Sequence, residues 1–452
     1  MAIGSIMMSL ATLGMPAYIN KFSPYYKDHL PKNKNDQATI ALIVSFIGFL
    51  LVTICGLFLK DVVGKTFDNS PQVVIYYYWL FPFGLGLTVF AILEALAWSH
   101  HKSILSNYFK EVQFRVFVTI LFVLTSMGVI KTFDVFIKIY SFLYLFIAVL
   151  LFINLYSSGK ISFNFSISKV TRRFAKKIVI LCSFVWGGTL IYTLAAAADT
   201  IIIALIFPNG AGMAGLFTFA QYLTSIIQAP QRSIVAASVP HLSQAWKDKD
   251  YGKINRIYQR SSINQLIFSV AVFCLIWLNY TDAIISFDLQ PDYKIVLNVF
   301  ILMGLMRIID MGTGVSGQII STSTYWRFDF ITGLVLLIAM LPLTWVLTKQ
   351  LGLIGPAVAN LISFFIYNLI RYLFLLKRFN MQPFTIKSLL AIIVAAACYG
   401  ACYFLFNDKT GFEWLAIRSI LFVSLFFAGT YWLTLTPDLK IVLQSLKDRV
   451  RK

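Results

Sequence analysis

The sequence predicts an all-α, polytopic membrane protein built as two repeated, pseudo-symmetric helical lobes. Three observations predict it. The 452 residues are 59% hydrophobic and only 13% charged, where a soluble chain carries about a quarter charged residues. About thirteen apolar runs are long enough to cross a bilayer core, which needs roughly 20 helical residues. The Lys and Arg residues between those runs alternate in number along the chain, as they do when loops alternate sides of a membrane.

The runs follow in order. The first, 2–19, contains Pro16, and 39–59 is wholly apolar. Run 73–97 opens on Tyr76-Tyr77-Tyr78-Trp79, which reads as an interfacial aromatic belt in preference to a sugar platform. It continues through FPFGLGL (81–87), whose Gly and Pro favour bending. Runs 112–130 and 133–156 complete the first lobe. Segment 157–176 is polar, basic and Ser-rich with Phe163, Phe165 and Phe174 interspersed, so it suits an amphipathic position at the membrane surface. Then come 177–207, 212–240, 259–280, 294–320, 328–348 and 352–376, and a further pair at 387–406 and 414–435. The tail 436–452 reads as a short interfacial helix. Thr436 is its N-cap, Pro437 lies in its first turn, and Leu439, Val442, Leu443, Leu446 and Val450 form its apolar face.

Of the 38 Lys and Arg residues, 28 fall in or beside alternate gaps and the tail, eight fall in or beside the other gaps, and Arg232 and Arg307 lie deeper inside spans. The richer gaps include Lys160 to Lys177 and Lys247 to Arg260. This bias predicts that they and the C-terminus are cytoplasmic. It also argues against nucleic acid as the partner of a +19 chain, because the charge is spread over many short loops. All five cysteines lie inside apolar runs. Cys398 and Cys402 share a helix face, but the four histidines lie elsewhere, so small core residues are expected and no metal site.

A shift of 224 residues relates the two halves. Pro16 falls on Pro240, Glu94 on Gln318, span 39–59 on 263–283 and span 133–156 on 357–380. Repeated halves are common in secondary transporters. The organisation that follows is a first lobe of about five helices at 1–156, a cytoplasmic linker at 157–176 and a six-helix second lobe at 177–380. An extra helix pair occupies 381–435. Under the same shift, run 177–207 has no counterpart after Met1. The expectation is that one helix and the start of the next are missing from the N-terminal side.

Charged residues inside spans usually face an interior cavity. Here they are Glu94, Asp199, Arg232, Arg307 and Asp310, with Lys21 and Arg371 near span ends. Arg232, flanked by Pro230 and Pro240, either snorkels to headgroups or lines a cavity as a cation for an anionic substrate. Arg307 and Asp310 are spaced to neutralise each other on one helix face. Glu94 could pair with a basic neighbour or bind a coupling cation or hydroxyls; either role is open for Asp199. No phosphate-binding G-x-x-x-x-G-K-[ST] motif, hydrolase triad or metal-hydrolase pattern stands out. Neither catalysis nor a cofactor is expected, and transport would draw on ion gradients or the membrane potential.

LGMPAYINKFSPYYK (13–27), AGLFTFAQYLTSIIQAPQRSIVAASVPHLSQAW (214–246), RIIDMGTGVSGQIISTSTYWRFD (307–329) and GLIGPAVANLISFFIYNLIRYLFLLKRFNMQPF (352–384) resemble one family. It is the Wzx-type polysaccharide flippases of the multidrug/oligosaccharidyl-lipid/polysaccharide exporter superfamily. The resemblance implies two lobes around a central cavity plus the C-terminal helix pair. It implies flipping of undecaprenyl-diphosphate-linked oligosaccharide across a bacterial cytoplasmic membrane by alternating access, with polysaccharide assembly proteins as partners. Arg232, then Lys21 and Arg307, would be the cavity cations. Three alternatives remain. A drug/cation antiporter of the same superfamily would use Glu94, Asp199 and Asp310. A lipid II flippase would want more first-lobe arginines, and the first arginine here is Arg115. A membrane glycan polymerase would want a large outer loop, which this chain lacks.

Overall fold

Twenty residues of α-helix rise about 30 Å, the depth of a hydrocarbon core, and the apolar runs fold at about that length. The computed structural model describes residues 1–100, 102–406, 409–436 and 438; no strand occurs among them. Among the described residues, nine helical stretches are long and apolar enough to cross a membrane. One is a 53-residue run, Arg327–Phe379, and a tenth span results if the first two helices, bent by 48°, count as one. The chain is a multi-pass membrane protein. Of the tail helix, only Thr436 and Asp438 are described. Thr436 Oγ1 accepts from Asp438 N at 3.2 Å, as a capping side chain does, and Asp438 is ion-paired with Arg260. Its apolar face lies outside the described residues.

The chain divides into two compact units, Met1–Ala211 and Gly212–Lys452. Unit 1 contains α1 (Ala2–Ala11), α2 (Met15–His29), α3 (Gln37–Phe58) and the short α4 (Lys60–Thr66) and α5 (Pro71–Ile75). It continues with α6 (Leu80–Ser99), α7 (Ser103–Asn107), α8 (Phe114–Ser126), α9 (Phe133–Ser157) and α10 (Lys169–Ile206). A π-helical turn, Tyr108–Gln113, separates α7 from α8. The core of unit 1 forms where α6 packs on α9 and on α1 to α3.

The second lobe is expected to open at 177. The division falls later, because α10 is bonded into unit 1. Ser168 caps α10, accepting from Thr171 N at 3.2 Å. Ser168 N and Thr171 Oγ1 both donate to the buried Asp36 carboxylate at 2.8 Å. Thr171 also meets Tyr26 Oη at 2.5 Å, and Tyr26 meets Tyr18 at 2.7 Å. Further along α10, Trp186 donates to Ser9 O at 3.0 Å, and Ser70 Oγ donates to Ala204 O at 2.8 Å. Bonds to the start, middle and end of α10 thus hold it to unit 1. The segment before it is also bonded to unit 1: Asn164 N donates to Thr39 Oγ1 at 3.0 Å.

Unit 2 comprises α11 (Gly210–Ile227), which starts at the boundary, α12 (Gln231–Lys247), α13 (Tyr251–Ser286), α14 (Tyr293–Gly312) and α15 (Ser316–Ser321). After these come α16 (Trp326–Leu351), α17 (Gly355–Phe379), α18 (Ile386–Phe406) and α19 (Phe412–Trp432). The C-terminal pair α18–α19 packs on α13. Arg418 of α19 is buried there. It donates to three backbone carbonyls and makes a 2.7 Å ionic contact with Asp282, off the hydrogen-bonding axis.

The 224-residue shift reappears in packing. It carries the packed pairs α3–α6, α6–α9 and α8–α9 of unit 1 onto α13–α14, α14–α17 and α16–α17 of unit 2. The breaks do not follow it. The α1–α2 break lies at Thr12 to Gly14, and the α11–α12 break at Gln228 to Pro230. Each break follows its local chemistry. Gly14 takes φ 74°, which costs a residue with a Cβ. Pro230 is the N-cap of α12, where a missing N–H costs nothing.

Candidate functional site: a polar seam in the second unit

In unit 1 the α6–α9 crossing is closed. Gly86 packs so tightly that a Cβ there would meet Leu145 N at 2.3 Å. Leu93, Ile147 and Leu151 are fully or almost fully buried beside it. The shift carries Gly86, Leu93, Tyr144 and Ile147 onto Asp310, Gly317, Asn368 and Arg371. It also carries the fully buried Ala41 onto the fully buried Gln265. Unit 2 therefore repeats the packing with polar residues where unit 1 has mostly apolar ones.

Those residues bond to one another. Asn368 Nδ2 of α17 donates to Asp310 Oδ1 of α14 at 3.2 Å. Gln231 Nε2, in the first turn of α12, donates to Asp310 Oδ2 at 3.3 Å. Thr313 Oγ1 donates to Asn368 Oδ1 at 3.0 Å, and Gln228 bonds Gln231 in turn. One turn further along α17, Arg371 forms an ion pair with Asp329 of α16 and lies 3.9 Å from the Tyr367 ring centre. Gly317 makes room for it: a Cβ there would come within 2.9 Å of Arg371 Nη1. Tyr258 Oη and both polar atoms of Gln265, on the adjoining α13, are buried with no hydrogen-bond partner among the described residues.

Such groups are costly in lipid. Insertion scales put about 2.5–3.5 kcal/mol on one charged residue at a helix centre. A seam of this kind is retained where polar groups face each other, water or substrate. Chemically, a carboxylate held by two neutral amides can take up a small cation, and the Arg371–Asp329 pair can exchange partners with an anion.

The candidates from sequence are distributed as follows. Asp310 lies at the centre of the seam, with Arg307 one turn earlier on α14 and half-buried. Arg232 follows Gln231 in the first turn of α12 and is exposed. A cation there opposes the positive end of the helix dipole, so helix stability does not explain it. In unit 1, Lys21 is exposed on α2, and Asp199 is buried on α10 among Ala195, Ala197 and Ala198. Glu94 on α6 accepts from Lys110 Nζ at 3.2 Å through both oxygens, the basic neighbour open to it from sequence. Arg371, the candidate near a span end, lies in the seam, whereas sequence reasoning missed Gln231, Gln265, Asn368 and the partner of Arg371, Asp329. Aligning the halves residue by residue would have exposed them: the shift sets Gln231, Gln265, Asp329 and Arg371 on the apolar Met7, Ala41, Leu105 and Ile147, and Asn368 on Tyr144.

No protein-family model matches the sequence, and no curated protein matches it. Among solved structures, the chain is similar to the lipid II flippase MurJ in an inward closed conformation. The TM-score is 0.72 at 14% identity, over 96% of this chain and 92% of that one. It is also similar to a multidrug resistance MATE family transporter of the MOP superfamily in an inward-facing conformation. There the TM-score is 0.64 at 15% identity, over 84% of this chain and 88% of that one. The chain has the fold of these transporters.

Proposed function

We propose that the protein is a transporter of the MOP superfamily that flips a lipid-linked oligosaccharide, of the undecaprenyl-diphosphate class, between leaflets by alternating access. The observation that carries this reading is the seam of Asp310, Asn368, Gln231 and Arg371–Asp329 inside otherwise apolar helices. A diphosphate-sugar headgroup crosses lipid only through polar surroundings, while its polyprenyl tail can stay in the bilayer. The fold shared with a lipid II flippase supports the same class of substrate movement. Outward passage of negative charge gains about 2.3 kcal/mol per charge per 100 mV of inside-negative potential. Arg232 is the proposed first contact for the diphosphate, with Lys21 and Arg307 as further cations. Partners would be the substrate, bilayer lipids and polysaccharide assembly proteins, at the bacterial cytoplasmic membrane.

The test is complementation of a strain lacking the gene, scored by surface glycan at matched protein level. Arg232→Ala should reduce export at least about tenfold, the loss of roughly 1.4 kcal/mol of transition-state binding. Undiminished glycan would remove Arg232 from the substrate path. A second reading, a drug/cation antiporter, is favoured by one feature: Asp310 is held by neutral amides and keeps its capacity for a cation. It predicts instead that Asp310→Asn abolishes drug resistance in a sensitised host while surface glycan is unaltered.

A further inference from the structure

A second polar feature lies at the end of unit 2 where α12, α15 and α17 finish, about two helical turns beyond Arg371 along α17. It is a cavity of about 1000 Å³ lined by Lys247, Lys249, Lys377 and Arg378. Among the described residues, none of the four is ion-paired, and no carboxylate lines the cavity. Its aromatic side is built from Trp246, Tyr251, Tyr325 and Phe379, whose rings meet at 5.1–6.2 Å. Trp246 is fixed by its indole N–H, which donates to Ile319 O at 3.0 Å. Arg378 is fixed by two bonds to Tyr325 Oη at 3.0 and 2.7 Å.

Helix ends alone do not account for this charge. The C-termini of α12 and α17 contribute about half a negative charge each, against four cations. Lys249 also takes the left-handed conformation, φ 55°, at the position after a helix where glycine is usual. Bonds from Lys249 N to Trp246 O and from Asp250 N to Ala245 O hold it there. Asp248 is occupied by the Gln244 amide, and Asp250 caps α13.

Beside the cavity runs an apolar groove of about 350 Å³ lined by Phe328, Ile370, Leu373 and Phe374. Lys377 and Arg378 line both, so they stand between a cationic, aromatic chamber and a hydrocarbon-lined trough. That pairing fits one kind of molecule. We infer that this end of unit 2 binds a membrane lipid with an anionic phosphate headgroup, the phosphate among the four cations and a hydrocarbon chain in the groove. Charge complementarity selects the head, and the shared wall at Lys377 and Arg378 ties head to tail.

The experiment uses the purified full-length chain in nanodiscs of equal parts phosphatidylglycerol and phosphatidylcholine. Native mass spectrometry counts the lipids retained after release. The wild type should retain phosphatidylglycerol over phosphatidylcholine. Lys377→Gln with Arg378→Gln should cut that retention at least fivefold, and Lys377→Arg with Arg378→Lys should restore it. Leu373→Trp, which fills the groove, should also cut it. If the Gln pair fails to fold, Lys247→Gln with Lys249→Gln, at two exposed positions, carries the same expectation. Equal retention of phosphatidylcholine would overturn the inference, and so would Gln variants that keep the lipid. Displacement by soluble glycerol 1-phosphate with Leu373→Trp silent would overturn it in favour of a soluble anion.

Discussion

The buried ion pairs set the sharpest expectations for single residues. Arg418 and Asp282 are almost wholly enclosed, at 7% and 9% side-chain exposure. Removing one partner leaves the other charged without compensation, which typically costs about 3–5 kcal/mol. Arg418→Ala should therefore lower the thermal midpoint in detergent by many degrees. Arg418→Met combined with Asp282→Leu should recover most of the loss, since it removes both charges at similar volume. Recovery no better than for Arg418→Ala would mean that the three carbonyls bonded by Arg418 matter more than the pair. In the seam, Asp310→Asn keeps the shape and removes the charge. It should leave expression and unfolding temperature within a few degrees while transport falls at least about tenfold. Of these residues, Asp310 was legible in the sequence because a carboxylate interrupts an apolar run. Arg418 was not: it stands near a span end, and nothing in the linear order points to Asp282.

Among the elements, the helices α3, α9, α13 and α17 could be read from unbroken apolar runs, and their observed bounds lie close to those runs or contain them, whereas the start of run 73–97 folds as α5 and a 3-10 turn before α6. The breaks were harder to read, because a glycine or proline marks several candidate sites and packing chooses among them. At Gly14, positive φ coincides with contact: a Cβ would sit 2.4 Å from Cys182 O on α10. Gly14→Ala should cost at least about 1–2 kcal/mol from backbone strain alone, with a further penalty for displacing α10. Ala at Gly187, where a Cβ meets nothing within 4 Å, should change the unfolding temperature little. Comparable midpoints for the two variants would refute the idea that the α1–α2 turn fastens α10. The reach of α10 into unit 1 was not legible either, since its ties to Asp36, Ser70 and Ser9 are long-range bonds between residues that look ordinary in sequence.

For the molecule as a whole, the lysine and arginine bias makes an orientation claim that chemistry can check. In a cysteine-free background, Lys131→Cys should react with an impermeant maleimide on intact cells, and Lys253→Cys only after the membrane is opened. The opposite pattern would invert the topology. The repeat was visible as an offset and the polar replacements in unit 2 are readable from it, but their meaning was not, because only the structure shows that their partners in unit 1 are tightly packed.

The closed crossing at Gly86 also bears on how the protein tolerates change. A saturation library spanning both halves should sort unevenly. Replacements around Gly86, Leu93 and Ile147 should deplete the population of chains that mature at all. Shape-preserving replacements in the seam, such as Asp310→Asn, should yield abundant but idle chains. Divergence within one half would then be bounded by foldability, and within the other by cargo.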